Sequence, residues 1–196
     1  MYKILFTGGT GFIGSNILKN IQLNYKVYVI QKKESKTSIF KSKNIQIIKF
    51  NNYNSLASKL KKIKVDAVIH CATHYKKIHT TSDLKKFAES NILLGNIILE
   101  NIKNMGAKKF INFTTTWGSS EGILNNPKNL YAAYKNGFSC LLDFYKKKFP
   151  SLRFIDLVIV DTYGANDKRE KLINVLKKNY KNNKITKIIS RNLYIN

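Results

Sequence analysis

Short apolar runs alternate with longer stretches of helical periodicity along most of the chain. Each run, such as KVYVIQ or IQIIKF, is nearly continuous in apolar residues, and most are followed by a segment in which apolar residues recur every three or four positions. The pattern predicts strands at residues 3–7, 26–31, 45–50, 66–72, 109–114 and 152–160. It predicts helices at residues 12–22, 55–63, 83–105 and 130–149.

Continuous apolar strands separated by helices indicate a parallel sheet that is covered on both faces. Because the crossovers of such a sheet are right-handed, the predicted fold class is a doubly wound α/β (Rossmann) fold with helices on both faces. After residue 160 the pattern changes to one basic helix and a short tail. We therefore expect one domain at residues 1–160 and a separate region at residues 161–196.

A glycine-rich segment, TGGTGFIG at residues 7–14, lies between the first predicted strand and the first predicted helix. In this order Gly8 permits a sharp turn, Gly11 lets the backbone approach a pyrophosphate, and Gly14 lets the helix pack closely on the sheet. The helix N-terminus then offers N–H groups and a positive dipole end to phosphates. Glycines alone would be weak evidence, but this position predicts that residues 1–160 bind a dinucleotide. The expected contacts come from Gly8, Thr10, Gly11, Phe12, Ile13 and Gly14.

The end of the second strand bears on the choice of dinucleotide. NAD-binding sites usually carry an acidic residue there, which accepts a hydrogen bond from the ribose 2′-hydroxyl. This chain has Gln31 followed by Lys32 and Lys33, and two cations suit a 2′-phosphate. We therefore predict NADP as the cofactor and NAD as the second choice.

The charge is strongly basic, with 35 Lys and Arg residues against 11 Asp and Glu residues and a formal net charge of +24. The lysines are spread along the whole chain, and no zinc-finger, helix-turn-helix or RNA-platform pattern accompanies them. We therefore expect no nucleic-acid partner. The charge would still steer an anionic substrate towards the protein.

Other sequence features narrow the class further. No apolar run approaches the roughly 20 residues of a membrane span, and no secretory signal begins the chain, so a cytoplasmic protein without a membrane partner is expected. Cys71 and Cys140 lack metal-ligand spacing and are expected to be free, buried thiols. The spacing of His70, His74 and His79 matches no common zinc motif, so no metal is expected.

Several blocks occur in an order that characterises one family. They are TGGTGFIG at 7–14, DAVIHCA at 66–72, ESNILLGNIILE at 89–100, KFINFTTTWG at 109–118, YAAYK at 131–135 and DTYGANDK at 161–168. Together they resemble the extended short-chain dehydrogenase/reductase family, the NAD(P)-dependent epimerases, dehydratases and reductases of nucleotide sugars. Residues 71–96 are similar to the reductases that make dideoxy sugars on a nucleotide carrier.

YAAYK places Tyr131 and Lys135 four residues apart, on one face of a helix. A tyrosine pKa of about 10 is too high for acid–base work near neutral pH, and an ammonium one turn away is expected to lower it. The resemblance implies that Tyr131 exchanges a proton with the sugar oxygen and that Lys135 also holds the nicotinamide ribose. It further implies that Thr115, with Thr116 as the second candidate, orients the substrate oxygen.

The resemblance also assigns the residues around the fourth strand. Cys71, Ala72 and Thr73 are expected along the cofactor, and Asn91 beside them either in catalysis or in a buried role against the active-site backbone. His74 and Thr116 are expected at the substrate. The implied partner is a nucleotide-diphosphate sugar, and the two long helices are expected to form a homodimer.

The chain ends near the point where the family continues into a domain that holds the nucleotide sugar. Residues 161–196 are therefore expected to begin a truncated substrate-binding region. The predicted function is a keto-sugar reductase or epimerase with a Thr–Tyr–Lys triad, because Thr116 stands where dehydratases usually carry an acid. The alternative is a cofactor-binding remnant without turnover.

Overall fold

The computed structural model of the chain describes residues 1–35, 38, 41–164, 167, 169 and 171–187. They form a sheet of strand order β3-β2-β1-β4-β5-β6. The β1–β2, β1–β4, β2–β3 and β4–β5 pairs are parallel. The predicted doubly wound parallel fold is confirmed. The strands are β1 (Tyr2–Thr7), β2 (Tyr25–Lys32), β3 (Ile45–Phe50), β4 (Ala67–His70), β5 (Lys109–Thr115) and β6 (Arg153–Ile159).

Helices connect these strands. They are α1 (Phe12–Asn20), α2 (Tyr53–Leu60), α3 (Leu84–Ala88), α4 (Leu94–Glu100), α5 (Ile102–Met105), α6 (Leu130–Lys148) and α7 (Leu172–Lys181). Single 3₁₀ turns cover Thr81–Asp83, Thr116–Gly118 and Ser120–Gly122. Over the described ranges, none of the helices combines the length and the apolar character that a bilayer crossing requires.

The helix expected at residues 83–105 is divided. A π-helical turn, Glu89–Leu93, separates α3 from α4. Asn101 separates α4 from α5 because its backbone, at φ −99° and ψ 2°, leaves the helical region. Apolar residues recur every three or four positions both before and after these interruptions. The sequence pattern therefore predicted one continuous helix.

Buried side chains form two clusters, one on each face of the sheet. Consecutive residues of β1 point to opposite faces, and Leu5 belongs to the first cluster while Phe6 belongs to the second. The first cluster packs the sheet against α2, α4 and α6, and the second packs it against α1. Fully buried members of the first are Leu5, Val68, Ile98, Leu99 and Phe110, and those of the second are Phe6, Val27 and Val29.

The strand order places the ends of β1 and β4 side by side at the centre of the sheet. The chain leaves β1 towards β2 and β3 and then returns to β4 on the other side. Thr7, the last residue of β1, is in register with His70, the last residue of β4. In open α/β sheets this topological switch point is where ligands bind.

The chain divides into two compact units, Met1–Val158 and Ile159–Asn196. The predicted basic helix of the second unit is α7. Within that unit, Lys171 Nζ lies 2.7 Å from Asp161 Oδ1 and Arg169 Nε lies 2.7 Å from Asp167 Oδ1. The expected tail falls largely on residues 188–196, which lie outside the described residues.

A histidine is buried at the switch point. His70 is 1% exposed, and its ring packs against the rings of Phe110 and Phe138 at centroid distances of 5.9 and 5.4 Å. Its Nδ1 lies 3.0 Å from the Thr7 hydroxyl, which accepts a hydrogen bond from the Ala72 N–H at 3.0 Å. Burial, with a smaller contribution from the charge of Lys135, lowers the pKa of His70 to about 3.

His70 should make the stability of the fold sensitive to acid. Below about pH 6.5 the unfolded chain binds a proton that folded His70 does not, so the free energy of unfolding falls by about 1.4 kcal/mol per pH unit. The loss ends near the folded pKa of about 3. Urea denaturation at about pH 7, 6 and 5 should show this slope in the natural chain and a shallower one in His70→Gln.

His79 provides the matched control because it is an exposed histidine of the same fold. His79→Gln should keep the pH slope of the natural chain. Equal slopes in the natural chain and in His70→Gln would contradict the assignment of the acid sensitivity to His70.

Candidate functional site

The glycine-rich segment forms a tight turn from β1 into α1. Gly8 has a positive φ of 78°, a conformation that costs a residue with a side chain about 1–2 kcal/mol. The Gly11 N–H donates to the Gly8 carbonyl oxygen at 3.0 Å, and the Ser15 N–H donates to the Gly11 carbonyl oxygen at 2.8 Å. From the described part of the chain, no side chain caps α1 at Gly11. The turn therefore places the N-terminus of α1, with its N–H groups, next to the switch point.

The three glycines face different surroundings. A Cβ atom on Gly8 would lie 2.6 Å from the Ala72 nitrogen, and one on Gly14 would overlap the Gly8 carbonyl group. A Cβ atom on Gly11 would have, among the described residues, only the Gly8 oxygen within 4 Å, at 3.4 Å. Gly11 is exposed and has an ordinary φ of −77°. The fold requires glycine at Gly8 and Gly14, but nothing in its packing requires glycine at Gly11.

A buried asparagine holds the segment after β4. Asn91, 1% exposed, lies in the π-helical turn, and its Oδ1 accepts from the Thr73 hydroxyl at 2.7 Å and from the His74 N–H at 2.8 Å. Its Nδ2 donates to the His74 carbonyl oxygen at 3.1 Å. Asn91 therefore has a buried role against the backbone, one of the two roles expected for it.

Tyr131 lies in the first turn of α6, beside this segment. Burial raises the pKa of Tyr131, and the neighbouring Thr73 side chain only partly offsets this effect. The rings of Tyr75 and Trp117 meet the Tyr131 ring edge to face, at centroid distances of 5.3 and 6.5 Å. The direction of the pKa shift is opposite to the one predicted from Lys135.

The position of the Lys135 ammonium explains this difference. Lys135 is 3% exposed, and its Nζ donates to the Phe113 carbonyl oxygen at 2.7 Å. Burial lowers the pKa of Lys135 to about 8, and burial likewise raises the pKa of the neighbouring Cys71 thiol to about 11. The spacing correctly brings Lys135 and Tyr131 to one face, but the long side chain directs its charge towards β5.

The two candidate threonines occupy different environments. Thr115 is the last residue of β5, and its Oγ1 accepts from the Trp117 N–H at 3.2 Å. The ring of the same Trp117 contacts the Tyr131 ring, so Thr115 is linked to Tyr131 through this tryptophan. Thr116 is exposed and opens the following 3₁₀ turn.

At the end of β2, one of the two lysines predicted to suit a 2′-phosphate, Lys32, forms an ion pair within the chain. Lys32 Nζ lies 2.6 Å from Glu89 Oε2, in the π-helical turn. Gln31 is buried and donates through Nε2 to the Ser35 hydroxyl at 3.3 Å. Lys33 is exposed, and its N–H donates to the Phe50 carbonyl oxygen at 2.8 Å.

The site thus combines a tight glycine turn at the start of α1, the strand order β3-β2-β1-β4-β5-β6, and a tyrosine and a lysine on one face of α6. The model of the NAD-dependent epimerase/dehydratase family matches residues 4–193. The chain belongs to this family.

Relatives within the family act on different nucleotide sugars. The dTDP-D-glucose 4,6-dehydratase of Dictyostelium discoideum is 32% identical over 201 residues, covering 87% of this chain and 46% of that protein. CDP-abequose synthase of Yersinia pseudotuberculosis is 32% identical over 177 residues, covering 89% of this chain and 60% of that protein. The chain thus spans about half of the length of these relatives.

A crystal structure shares the fold. The UDP-glucuronic acid 4-epimerase of Bacillus cereus, in complex with UDP-glucuronic acid and NAD, is similar to this chain with a TM-score of 0.73 and 26% identity. The similarity covers 93% of this chain and 64% of that one.

Thr7 and Glu89 contribute to the site but were not identified as site residues in the sequence analysis. Thr7 could have been identified from sequence, because it is a polar residue at the end of an apolar strand. Glu89 could not, because its partner Lys32 is 57 residues away in the chain.

The expectation of two buried thiols is wrong for one of them, since Cys71 is partly buried but Cys140 is exposed. Position 140 lies two residues beyond the buried Phe138 and so on the opposite side of α6.

Asn91→Ala should destabilise the chain by about 2–3 kcal/mol, because it leaves the His74 N–H and C=O groups without their partner. Urea denaturation measures the loss, and amide hydrogen exchange at His74 should become faster. Asn96→Ala is the matched control, since Asn96 Oδ1 is buried with no hydrogen-bond partner in the described residues. It should cost less than about 1 kcal/mol. Equal losses in the two variants would contradict the role given to Asn91.

Proposed function

We propose that this chain binds a nicotinamide dinucleotide at the switch point and acts on a nucleotide-linked sugar as a keto-sugar reductase or epimerase. Gly11 is the observation that carries the proposal. Its exposed position, ordinary φ and open surroundings give the fold no reason to exclude a side chain. A pyrophosphate lying against the start of α1 supplies that reason, because a Cβ atom there would occupy the space the phosphates need.

Three residues perform the proton chemistry in this proposal. The bound dinucleotide would supply hydride transfer to or from the sugar carbon. Tyr131 donates the proton to the sugar oxygen, and Thr115 donates a hydrogen bond that orients that oxygen. Lys135 holds the nicotinamide ribose and, when its ammonium leaves the Phe113 carbonyl, lowers the pKa of Tyr131. The raised pKa of Tyr131 in this structure suits the protonated form that a reductase needs first.

The proposed substrate is a nucleotide-diphosphate sugar. The relatives named above carry dTDP, CDP and UDP sugars in their names, and the net charge of +24 favours an anionic substrate. Thr116 follows Thr115 where an acid would favour dehydration, which supports reduction or epimerisation. Because the chain spans 46% to 60% of those relatives, cofactor binding without turnover remains the second candidate.

NADP is the proposed cofactor, with NAD as the second choice. Gln31 replaces the acid that would accept from a ribose 2′-hydroxyl, and Lys32 and Lys33 follow it. The B. cereus epimerase structure contains NAD, so the preference depends on this chain's own residues at the end of β2.

Gly11→Ala should separate folding from binding. The free energy of unfolding of the variant should stay within about 1 kcal/mol of that of the natural chain. Its affinity for NADPH and NADH should fall by about tenfold or more. Fluorescence titration measures the affinities. Tyr131→Phe is the matched variant that should retain cofactor affinity and lose sugar-dependent oxidation of NADPH.

The outcomes of this experiment discriminate between the candidates. Binding with oxidation of NADPH by a keto-sugar nucleotide supports the enzyme, and binding without any oxidation supports the non-catalytic candidate. If neither dinucleotide binds the natural chain, the proposed function is wrong.

We also propose that the chain forms a homodimer through the segments of the two predicted long helices, residues 83–105 and 130–149. Leu84 and Leu93 are each 40% exposed and Phe144 is 57% exposed, so these segments offer apolar side chains that a second copy could cover.

Phe144→Asp should convert the dimer into a monomer, because it places a charge in the proposed apolar interface. Light scattering at about 10 µM or more measures the mass. Leu23→Asp is the control, because Leu23 is 54% exposed in the loop between α1 and β2. A natural chain that is already monomeric would contradict the dimer.

A further inference from the structure

A carboxylate from the far side of the switch point reaches the end of β2. Glu89 begins the π-helical turn of the β4–β5 connection, and its Oε2 lies 2.6 Å from Lys32 Nζ at the last residue of β2. The two residues are 57 positions apart. The pair therefore links the first half of the sheet to the helix that crosses over from β4.

Tyr53, the first residue of α2, completes this corner. Its hydroxyl donates to the Glu89 carbonyl oxygen at 3.4 Å, and Lys32 Nζ lies 5.8 Å from its ring centroid. Burial, followed by the charges of Glu89 and Glu34, raises the pKa of Tyr53 to about 12. The end of β2, the start of α2 and the start of the π-helical turn thus meet at one ion pair.

The pair does little for stability. Its side chains are 38% and 20% exposed, and partly exposed ion pairs of this kind contribute little to the free energy of unfolding. The location of the pair matters more for cofactor choice. In dinucleotide-binding folds of this kind, the residue at the end of β2 lies at the adenosine ribose and discriminates between a 2′-hydroxyl and a 2′-phosphate.

We propose that Glu89 is a specificity-determining residue that competes with the 2′-phosphate for Lys32 and so limits the preference for NADP over NAD. A 2′-phosphate gains Lys32 only when the ammonium leaves Glu89. A 2′-hydroxyl has no such requirement, because a neutral pair can remain in place beside it. The inference rests on the proposed dinucleotide binding.

The test measures the dissociation constants of NADPH and NADH by fluorescence titration in the natural chain, Glu89→Gln, Lys32→Gln and the double variant. Glu89→Gln should tighten NADPH by about threefold to tenfold and change NADH by less than about twofold. Lys32→Gln should weaken NADPH by about tenfold. In the Lys32→Gln background the effect of Glu89→Gln should shrink, because the competition is for that lysine.

Glu100→Gln is the matched control. It removes the same charge from a carboxylate that also pairs with a lysine, Lys148, at 2.9 Å. It should leave the ratio of the NADPH and NADH dissociation constants unchanged.

An unchanged ratio in Glu89→Gln, or an effect of equal size with and without Lys32, overturns the inference while leaving dinucleotide binding intact. If neither dinucleotide binds the natural chain, the proposed function and this inference are both wrong. Thermal denaturation of each variant identifies any change in ratio that accompanies a damaged fold.

Discussion

The contact between the turn after β1 and the segment after β4 is the constraint on which the site depends. Gly8 lies so close to the Ala72 backbone that a Cβ atom would come within 2.6 Å of its nitrogen. The Thr7 hydroxyl bonds the Ala72 N–H and the His70 ring, so both strand ends are held in one arrangement. Gly14 then lets α1 begin directly over the Gly8 carbonyl. The start of α1 and the segment after β4 are positioned relative to each other by this backbone contact.

The π-helical turn is the second organising feature because it points residues in two directions. Glu89 and Asn91 are two positions apart and so lie on opposite sides of the helix. Glu89 reaches Lys32 at the end of β2, and Asn91 holds the backbone of His74 beside Tyr131. One short turn thereby contacts both halves of the crevice. Insertions of this kind are frequent at functional sites, where they redirect side chains that a regular helix would place elsewhere.

The strands were predictable from sequence because buried parallel strands are short, continuous apolar runs, and residues 45–50 match β3 to the residue. The sharp turn from β1 into α1 was predictable from the glycines and their position between a strand and a helix. The interruption at Asn101 was not predictable, since a local change of backbone angle leaves the apolar period intact. Nor was the partner of Lys32, because contacts across 57 residues depend on how the helix after β4 lies over the sheet. The spacing identified Gly8, Gly11 and Gly14 together. Only the structure shows that the fold itself needs glycine at Gly8 and Gly14 but not at Gly11.

The net charge of +24 includes lysines whose ammonium groups already have partners within the chain. Lys135 donates to the Phe113 carbonyl oxygen, Lys32 pairs with Glu89, and Lys76 pairs with the buried Asp83 at 2.7 Å. Binding an anion at these positions exchanges one partner for another, so each cation contributes the difference between two interactions rather than the whole of one. Discrimination between similar anions then depends on how tightly each lysine is held beforehand. If an anion binds at these positions, the carboxylates and carbonyls that restrain the lysines contribute to its recognition as much as the lysines do.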